Sequence, residues 1–425
     1  MTSEAHRAIE AVWRIESAKL IAGLTRMVRD VGIAEELAQD TLVAALEQWP
    51  AEGVPANPGA WLMATAKHRA IDRIRRSQVL ERKQEELGRA LESREASEGP
   101  DLAAAMDEDV EDDLLRLMFM TCHPVLSTEA RTALTLRLLG GLTTDEIARA
   151  FLASEATVAQ RIVRAKRTLT EKQVPFELPH GDDRAARLSS VLEVIYLVFN
   201  EGYSATAGDD WMRPALCDEA LRIGRILAEL TPREPEVHGL VALMEIQASR
   251  SRARVGPRGE PVLLLEQDRA RWDRLLIGRG LAALERAEAL GGSAAGRGPY
   301  ALQAAIAACH ARALEPQHTD WARIAELYFE LAKAAPSPVV ELNRAVALAM
   351  AFGPEVGLQL VDELVSERAL AGYHLLPSVR GDLLAKVGRV EEAGAEFERA
   401  ASLTRNARER ELLLERAEAC AQQSY

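Results

Sequence analysis

The feature that most constrains the fold is an internal repeat in residues 183–425 of this 425-residue chain. Small and apolar residues recur at offsets of 0, 4 and 7, followed by a proline at offset 12. The two clearest copies are Ala220, Gly224, Leu227 and Pro232, and Ile324, Tyr328, Leu331 and Pro336. Later anchors follow Ile324 at Gly357 and Ala393, after 33 and 36 residues. Offsets of 4 and 7 lie on one helix face, so the pattern predicts amphipathic helices stacked in series.

The repeat length favours one kind of helical array. It matches the roughly 34-residue period of tetratricopeptide repeats, in which small residues lie where paired helices cross. We therefore predict a tetratricopeptide-like solenoid over residues 183–425, with generic amphipathic hairpins as the alternative. The pattern lapses between Arg250 and Gln267, where we expect a loop inserted into the array.

Composition agrees with an all-α protein. Ala, Leu, Glu and Arg dominate, and runs rich in Val, Ile and Thr are scarce. No apolar stretch is long enough to span a bilayer and no signal peptide is evident, so we expect a cytoplasmic protein with no membrane partner. The cysteines are widely spaced and predict neither disulfides nor a metal site. No phosphate-binding glycine loop is present, so no cofactor is expected.

The stretch TTDEIARAFLASEATVAQRIVRAKRTL, residues 143–169, predicts a helix-turn-helix. Thr143 and Glu146 have capping-box spacing, while Leu152 stands where such turns usually carry glycine. The second helix has an apolar face made of Val158, Ile162, Ala165 and Leu169. Its start and its other face carry candidates for contacts to bases and phosphates in a major groove: Ser154, Thr157, Gln160, Arg161, Arg164 and Arg167. A merely solvated basic face is the alternative.

A second basic helix is predicted in NPGAWLMATAKHRAIDRIRR, residues 57–76. Arginines can hold backbone phosphates and an aromatic ring can stack on an unpaired base. The candidates for DNA contacts are Trp61, Lys67, His68, Arg69, Arg73 and Arg76. A core position is the alternative for Trp61. The preceding segment, PAEGVPANP (residues 50–58), is predicted to be an irregular loop because of its prolines and glycine.

Just upstream, AEELAQDTLVAALEQW (residues 34–49) predicts an amphipathic helix. Its buried stripe is predicted to contain Leu37, Thr41, Ala45 and Leu46. Glu36, Gln39 and Asp40 fall on the exposed stripe. An acidic and polar patch suits a basic partner protein rather than DNA.

The charge of the chain is unevenly distributed. The whole chain carries a net charge of −13, and residues 77–113 alone hold four basic and thirteen acidic residues. We predict that residues 77–113 are an acidic linker between helical domains at 1–76 and 114–174. An acidic chain is poorly suited to hold DNA by itself, so the helix-turn-helix needs a partner that supplies affinity.

Taken in order, EELAQD, NPGAWLMATAKHRAIDRIRR and LTTDEIARAFLASEATVAQRIVRAKRTL resemble the extracytoplasmic-function class of bacterial RNA polymerase sigma factors. The repeats, together with the stretches LLRLMFMTCHPVLS and VIYLVFNEGYSA, make the chain similar to the group of these sigma factors that has a C-terminal tetratricopeptide extension. The resemblance implies that residues 1–76 bind core RNA polymerase and the minus-ten element, and that residues 114–174 bind the minus-thirty-five element of promoter DNA. It implies a regulatory role for residues 183–425, through the chain itself or a regulatory protein docking on the repeats.

The resemblance also implies residue roles. Glu36, Gln39 and Asp40 match positions that bind the polymerase clamp. His68 matches a position often occupied by Asn that helps to hold a flipped-out promoter base, and the loop at 50–58 carries specificity for that base. The acidic linker is expected to thread through the polymerase near its catalytic cleft, with a solvated tether as the alternative.

The segment NEGYSATAGDDW, residues 200–211, is a candidate contact with the amino-terminal domains. The residues proposed for it are Asn200, Glu201, Tyr203 and Trp211. A helix end followed by a surface loop is the alternative.

Three classes of function were compared. A sigma factor explains all the motifs, whereas a helix-turn-helix regulator acting without core polymerase leaves EELAQD and AKHRAIDRIRR unexplained. A repeat scaffold without DNA binding would make both basic helices coincidental. An enzyme is not predicted, because no nucleophile–base set or metal-ligand spacing is found.

Overall fold

The computed structural model describes residues 2–88, 110–257, 259–291 and 297–423. These residues confirm the all-α fold class, since the strands among them are two-residue segments that pair with each other. The chain forms two compact units, residues 1–194 and 195–425. The division falls within a helix, Gly181–Tyr203.

In its described residues, the first unit contains seven α-helices before the helix that crosses the division. They are α1 Thr2–Val28, α2 Val31–Glu52, α3 Pro58–Gly88, α4 Val110–Thr121, α5 Thr128–Leu138, α6 Thr144–Ala150 and α7 Glu155–Glu171. Helix α1 packs against α2, α3 and α4, and α5 and α6 pack against α7. Leu24, Leu62 and Leu117, from three different helices, are almost completely buried.

Two predictions about α2 differ from the structure, one for its end and one for its buried face. Helix α2 continues through Pro50 to Glu52, so the irregular loop is shorter than residues 50–58. Gly53 follows the helix as its C-cap and has a positive φ of 91°. Leu46 is 36% exposed, and its prediction as buried was wrong. It stands nine residues after Leu37, which at about 100° per residue is the opposite side of the helix.

The predicted acidic linker is helical at both ends. Helix α3 extends to Gly88, and α4 begins at Val110 with Glu111, Asp112 and Asp113 in its first turn. Acidic side chains stabilise a helix N-terminus through the helix dipole, which explains this start. Asp113 is buried and forms ion pairs with Arg26 at 2.9 Å and Arg116 at 2.8 Å. Residues 89–109, with most of the predicted linker, lie outside the described residues.

The second unit is a series of helices. They are α8 Gly181–Tyr203 (from the division onward), α9 Pro214–Leu230, α10 Pro235–Ala248, α11 Arg274–Gly291, α12 Pro299–Arg312, α13 Trp321–Ala334, α14 Pro338–Phe352, α15 Pro354–Leu364, α16 Leu375–Lys386, α17 Val390–Leu403 and α18 Ala407–Gln423. Consecutive helices from α12 onward pack against each other. The chain between α10 and α11 contains two single 3-10 turns and a bridge between Val255 and Pro261, in agreement with the predicted inserted loop.

The repeat anchors are buried where helices cross. Ala220, Leu227, Ile324 and Ala393 are at most 1% exposed. A Cβ on Gly357 would lie 2.5 Å from the Cβ of Ala349, so only glycine permits this approach of α15 to α14. The small residues of the sequence repeat therefore do lie at helix crossings.

The first and last parts of the second unit are joined. Strand β1, Ala207–Gly208, pairs in parallel with β2, Arg405–Asn406. The buried Asn406 side chain donates hydrogen bonds to the carbonyl oxygens of Ala205 at 3.1 Å and Asp210 at 2.9 Å. We call these contacts the join. No helix in the described part of the chain is long and apolar enough to cross a membrane.

Candidate polymerase and promoter interface

The helix-turn-helix forms as its capping residues require. Thr143 and Glu146 make a complete capping box at the start of α6, and the Ser154 hydroxyl accepts a hydrogen bond from the Thr157 amide at 3.1 Å. Leu152, at the expected glycine position, has a positive φ of 47°. The turn therefore has the left-handed residue that the motif requires, supplied by leucine.

Helix α7 is divided into an apolar and a polar face. Val158, Ile162, Ala165 and Leu169 are all buried, as predicted. The candidates on the other face are exposed, except that Arg161 is half-buried: Ser154, Thr157, Gln160, Arg164 and Arg167. Arg167 forms an exposed ion pair with Glu171 at 2.6 Å. The exposed face can present hydroxyl, amide and guanidinium groups to a nucleic acid.

A groove of about 440 Å³ lies beside the polar face of α7. Thr157, Gln160, Arg161 and Arg164 line one side, and the start of α5 lines the other. Glu129 of α5 accepts hydrogen bonds from its own backbone amide and from Ser127, which together with the charge of Arg161 lower its pKa. The groove therefore has both an acidic and a basic wall.

The exposed face of α2 lies against the basic face of α3. Glu36 pairs with Arg73 at 3.5 Å, and Asp40 lies 4.0 Å from Arg69. These four side chains are at least 41% exposed, so the pairs are weak. The structure thus brings the predicted polymerase-binding carboxylates together with two of the predicted DNA-binding arginines.

The other candidates on α3 differ in exposure. His68 and Arg76 are exposed, whereas Lys67 is half-buried. Trp61 is also half-buried, and its ring packs edge-on against Trp49 with centroids 5.3 Å apart. Part of the Trp61 ring is therefore taken up by a protein contact.

A charged cluster that sequence reasoning missed connects α2 with α5 and α7. Glu35 is buried and accepts a hydrogen bond from Arg137 Nε at 2.7 Å. It also pairs with Lys166 and accepts a hydrogen bond from Gln39 at 3.0 Å. A signal was present, because Glu35 lies four residues after the buried Val31 and three residues before the buried Ala38, on the same helix face. This Glu35 cluster (Glu35, Arg137, Lys166) holds the start of α2 to the helix-turn-helix.

The candidates in residues 200–211 have described partners within the second unit. Glu201 pairs with Arg213 and accepts a hydrogen bond from the Thr206 hydroxyl at 2.9 Å. The Arg254 guanidinium lies 3.5 Å from the centre of the Tyr203 ring and 5.5 Å from that of Trp211. Asn200 is half-buried. Their contact with the amino-terminal domains stays a prediction.

Comparisons with known proteins agree with the two DNA-reading motifs. Residues 16–79 match the family Sigma-70 region 2, and residues 116–169 match Sigma-70, region 4. The ECF RNA polymerase sigma factor SigK of Mycobacterium bovis (strain BCG / Pasteur 1173P2) is 30% identical over 148 residues, which are 34% of this chain and 74% of that protein. The chain belongs to the ECF family of RNA polymerase sigma factors. This sigma factor associates with core RNA polymerase and promoter DNA in promoter recognition.

The rest of this sigma factor has relatives of unassigned function. Residues 187–288 match a family of unknown function, DUF6596. An uncharacterized protein of Rhizobium meliloti (strain 1021) is 45% identical over 391 residues, which are 92% of this chain and 90% of that protein. The crystal structure of yeast Tom70 covers 100% of this chain and 85% of that chain at 13% identity, with a TM-score of 0.31, a likeness too weak to assign a fold.

Proposed function

We propose that three surfaces of this sigma factor divide the work of initiation. Helix α7 reads the minus-thirty-five element, and α3 with residues 53–57 reads the minus-ten element. The exposed face of α2 binds the polymerase clamp. The second unit regulates these surfaces.

The observation that carries this proposal is the division of α7 into two faces. The helix buries its apolar side chains within the first unit, so the polar face is held outward by packing rather than by its own preferences. A bidentate contact between an arginine and a guanine is worth about 1–3 kcal/mol. Two such arginines on one helix can therefore provide sequence specificity for the promoter, while the polymerase provides most of the affinity.

Transcription by the reconstituted holoenzyme tests the role of α7. Arg161→Ala combined with Arg164→Ala should lower initiation at least tenfold on a promoter with an intact minus-thirty-five box. It should change initiation little on a promoter whose box is scrambled. Arg149→Ala is the matched control, because Arg149 is 71% exposed on the neighbouring helix α6 and pairs with Asp145. Equal losses on both promoters would contradict base reading by α7.

The exposed face of α2 has the composition of a protein-binding surface. Val43 is 50% exposed and Leu46 is 36% exposed, and both follow Glu36, Gln39 and Asp40 at helical spacing. Exposed aliphatic groups beside carboxylates favour a partner with apolar and basic groups. Gln39→Ala with Asp40→Ala should lower the affinity for core polymerase at every promoter, measured by competition with the wild-type protein.

A regulator that works without polymerase is the competing function. It would bind a promoter duplex tightly alone and gain nothing from core enzyme. A gel-shift titration with and without core polymerase decides between the two. We expect weak binding alone, because the net charge of the chain is −13.

The regulatory role of the second unit is tested by truncation at its boundary. Residues 1–194 are preferable to residues 1–182, because Ser190 accepts a hydrogen bond from Arg131, and Arg187 donates one to the Phe119 carbonyl at 2.8 Å. The shorter fragment would lose both contacts. If residues 1–194 fold and initiate transcription at the wild-type rate and with wild-type regulation, the proposed role is wrong.

A further inference from the structure

Three arginines and three aromatic residues alternate in the second unit. In spatial order they are Trp211, Arg254, Tyr203, Arg250, Trp272 and Arg269. Each guanidinium carbon lies 3.5 to 5.8 Å from the centre of a neighbouring ring. We call this group the arginine ladder. Tyr203 and Trp211 come from the segment before α9, and the arginines come from the inserted loop and its flanks.

The ladder buries positively charged guanidinium groups without pairing them with carboxylates. Arg254 is 7% exposed and Arg269 is 4% exposed. Among the residues that the structure describes, no carboxylate lies within 4.0 Å of the guanidinium groups of Arg250, Arg254 or Arg269. Burial lowers the pKa of Arg254, and the charge of Arg250 lowers it further. Buried cations are normally paired, so this group is an exception.

Other groups nearby do not supply the missing negative charge. Burial raises the pKa of the Cys217 thiol to about 12, so the thiol next to Arg254 stays neutral. Aromatic faces offer a cation only a partial negative charge, so the rings do not replace a counterion. Arg269 is held by three oxygen acceptors, the carbonyls of His310 and Ala313 at 2.9 and 2.7 Å and the Thr319 hydroxyl at 3.0 Å. Arg254 has the Tyr203 side chain as a hydrogen-bond partner.

Arg250 lies in the middle of the ladder and has an unpaired hydrogen-bond donor. Its Nε is buried and lacks a hydrogen-bond partner in the described structure, as do the indole nitrogens of Trp211 and Trp272. Arg250, Tyr203 and Trp211 are half-buried and keep some contact with solvent, so a small solute can reach them. An incoming anion would meet the guanidinium groups of Arg250 and Arg254, and Arg250 has a donor without a partner among the described residues.

We propose that the ladder is a binding site for a phosphate group, carried by a small phosphorylated ligand. A phosphate monoester brings a charge of about −1.5 to −2 and three acceptor oxygens, which matches Arg250 and Arg254 better than a single carboxylate does. The site lies in the part of the chain that matches the family of unknown function. It does not depend on the roles proposed for α2, α3 and α7.

Such a ligand would also stiffen the join. Tyr203 and Trp211 flank strand β1, and the Ala205 amide donates a hydrogen bond to the Trp211 carbonyl at 3.1 Å. A phosphate that fixes both rings through Arg250 and Arg254 would hold β1 in register with β2. Hydrogen exchange at Ala207 and Asn406 is therefore expected to slow when the site is filled.

The test uses inorganic phosphate and the full chain at constant ionic strength set with chloride. Tryptophan fluorescence and the melting temperature report on binding, and citrate serves as the carboxylate competitor. The wild-type protein should bind phosphate saturably, and Arg250→Gln should weaken binding at least tenfold. Arg252→Gln, an exposed arginine of the same loop, should leave binding unchanged. In phosphate-free buffer Arg250→Gln should melt at or above the wild-type temperature, because it removes an unneutralised cation.

Three results would overturn the proposal. The first is the absence of saturable phosphate binding by the wild-type protein. The second is equal phosphate affinity in Arg250→Gln and Arg252→Gln. The third is a lower melting temperature of Arg250→Gln without phosphate, which would make the ladder a structural stack that needs no ligand. Preference for citrate over phosphate would also contradict the assignment of the ligand class.

Discussion

The Glu35 cluster and the arginine ladder bury charge in opposite ways. The Glu35 side chain is 6% exposed, and Arg137 and Lys166 lie against its two oxygens. Arg254 is similarly buried, but its described neighbours are rings and other cations. The first arrangement is complete within the protein, whereas the second lacks an anion. The difference separates a structural ion cluster from a candidate ligand site.

A third group shows that the second unit can neutralise buried charge. Glu245 is 1% exposed and lies 2.8 Å from Arg225 and 3.4 Å from Arg279. It precedes Arg250 by five residues in the chain. The lack of a carboxylate at the ladder is therefore a local property and does not reflect a shortage of acidic residues in this unit. Burial of charge alone is common in structural clusters, and the absence of a counterion is the informative feature.

The largest expected effect is at Glu35. Glu35→Gln removes the carboxylate and leaves Arg137 and Lys166 without an ion pair among the described residues. Breaking a buried ion pair in this way costs about 3–5 kcal/mol. Urea unfolding of the full chain, followed by circular dichroism, should show this loss in the transition of the first unit.

Glu36→Gln is the matched control for Glu35→Gln. Glu36 is the next residue, its side chain is 66% exposed, and its partner Arg73 is 3.5 Å away. An exposed pair of this kind is worth about 0–1 kcal/mol. Similar losses from both substitutions would show that the Glu35 cluster is no more important for stability than a surface pair.

A smaller effect is expected at the join, which borders the ladder. Asn406→Ala leaves the carbonyls of Ala205 and Asp210 without their side-chain donor and should destabilise the second unit by about 1–3 kcal/mol. It should also weaken phosphate binding, because Trp211 is adjacent to Asp210. Ser366→Ala, which removes an exposed side chain from the same unit, is the control. A fall in stability of the first unit instead would contradict this assignment.

Sequence patterns predicted most of the helical fold because spacing alone determines which residues share a helix face. The capping residues Thr143 and Ser154, the buried face of α7 and the small residues at helix crossings followed directly from spacing. The ends of helices were harder to predict. Pro50 was taken as a helix breaker, but it lies in the last turn of α2, where packing of Trp49 in the core favours continued helix.

The charged sites show the limits of the same reasoning. Glu35 and Glu36 are adjacent and chemically equivalent. The sequence motif assigned a role to the exposed Glu36 and none to the buried Glu35. Arg250 and Arg254 of the ladder fall where the repeat lapses, whereas Tyr203 and Trp211 were assigned to a contact with the amino-terminal domains. The six residues were not grouped, because they are far apart in the chain and have no common spacing. Long-range proximity of cations depends on how the helices stack, which local periodicity does not encode.

The smallest predicted effect is a pH dependence that reports on the ladder. Burial, together with the charges of Arg250 and Arg269, lowers the pKa of His310 to about 3. The folded state therefore keeps this histidine neutral, while the unfolded chain takes up a proton near pH 6.5. This histidine leaves the free energy of unfolding unchanged above pH 6.5 and lowers it by about 1.4 kcal/mol per pH unit below pH 6.5. Urea unfolding at pH 7.5 and 5.5 should show this loss in the wild-type protein and lack it in His310→Gln.

Repeating the measurement with phosphate tests the link between His310 and the ladder. An anion beside Arg250 would offset the repulsion felt by a protonated His310, raise the pKa of that histidine towards its usual value and reduce the loss at pH 5.5. A pH dependence that is identical in the wild-type protein and His310→Gln would show that His310 is already free to protonate in the folded state. The ladder would then be more hydrated, and its cations less in need of an anion, than the contacts around Arg250 indicate.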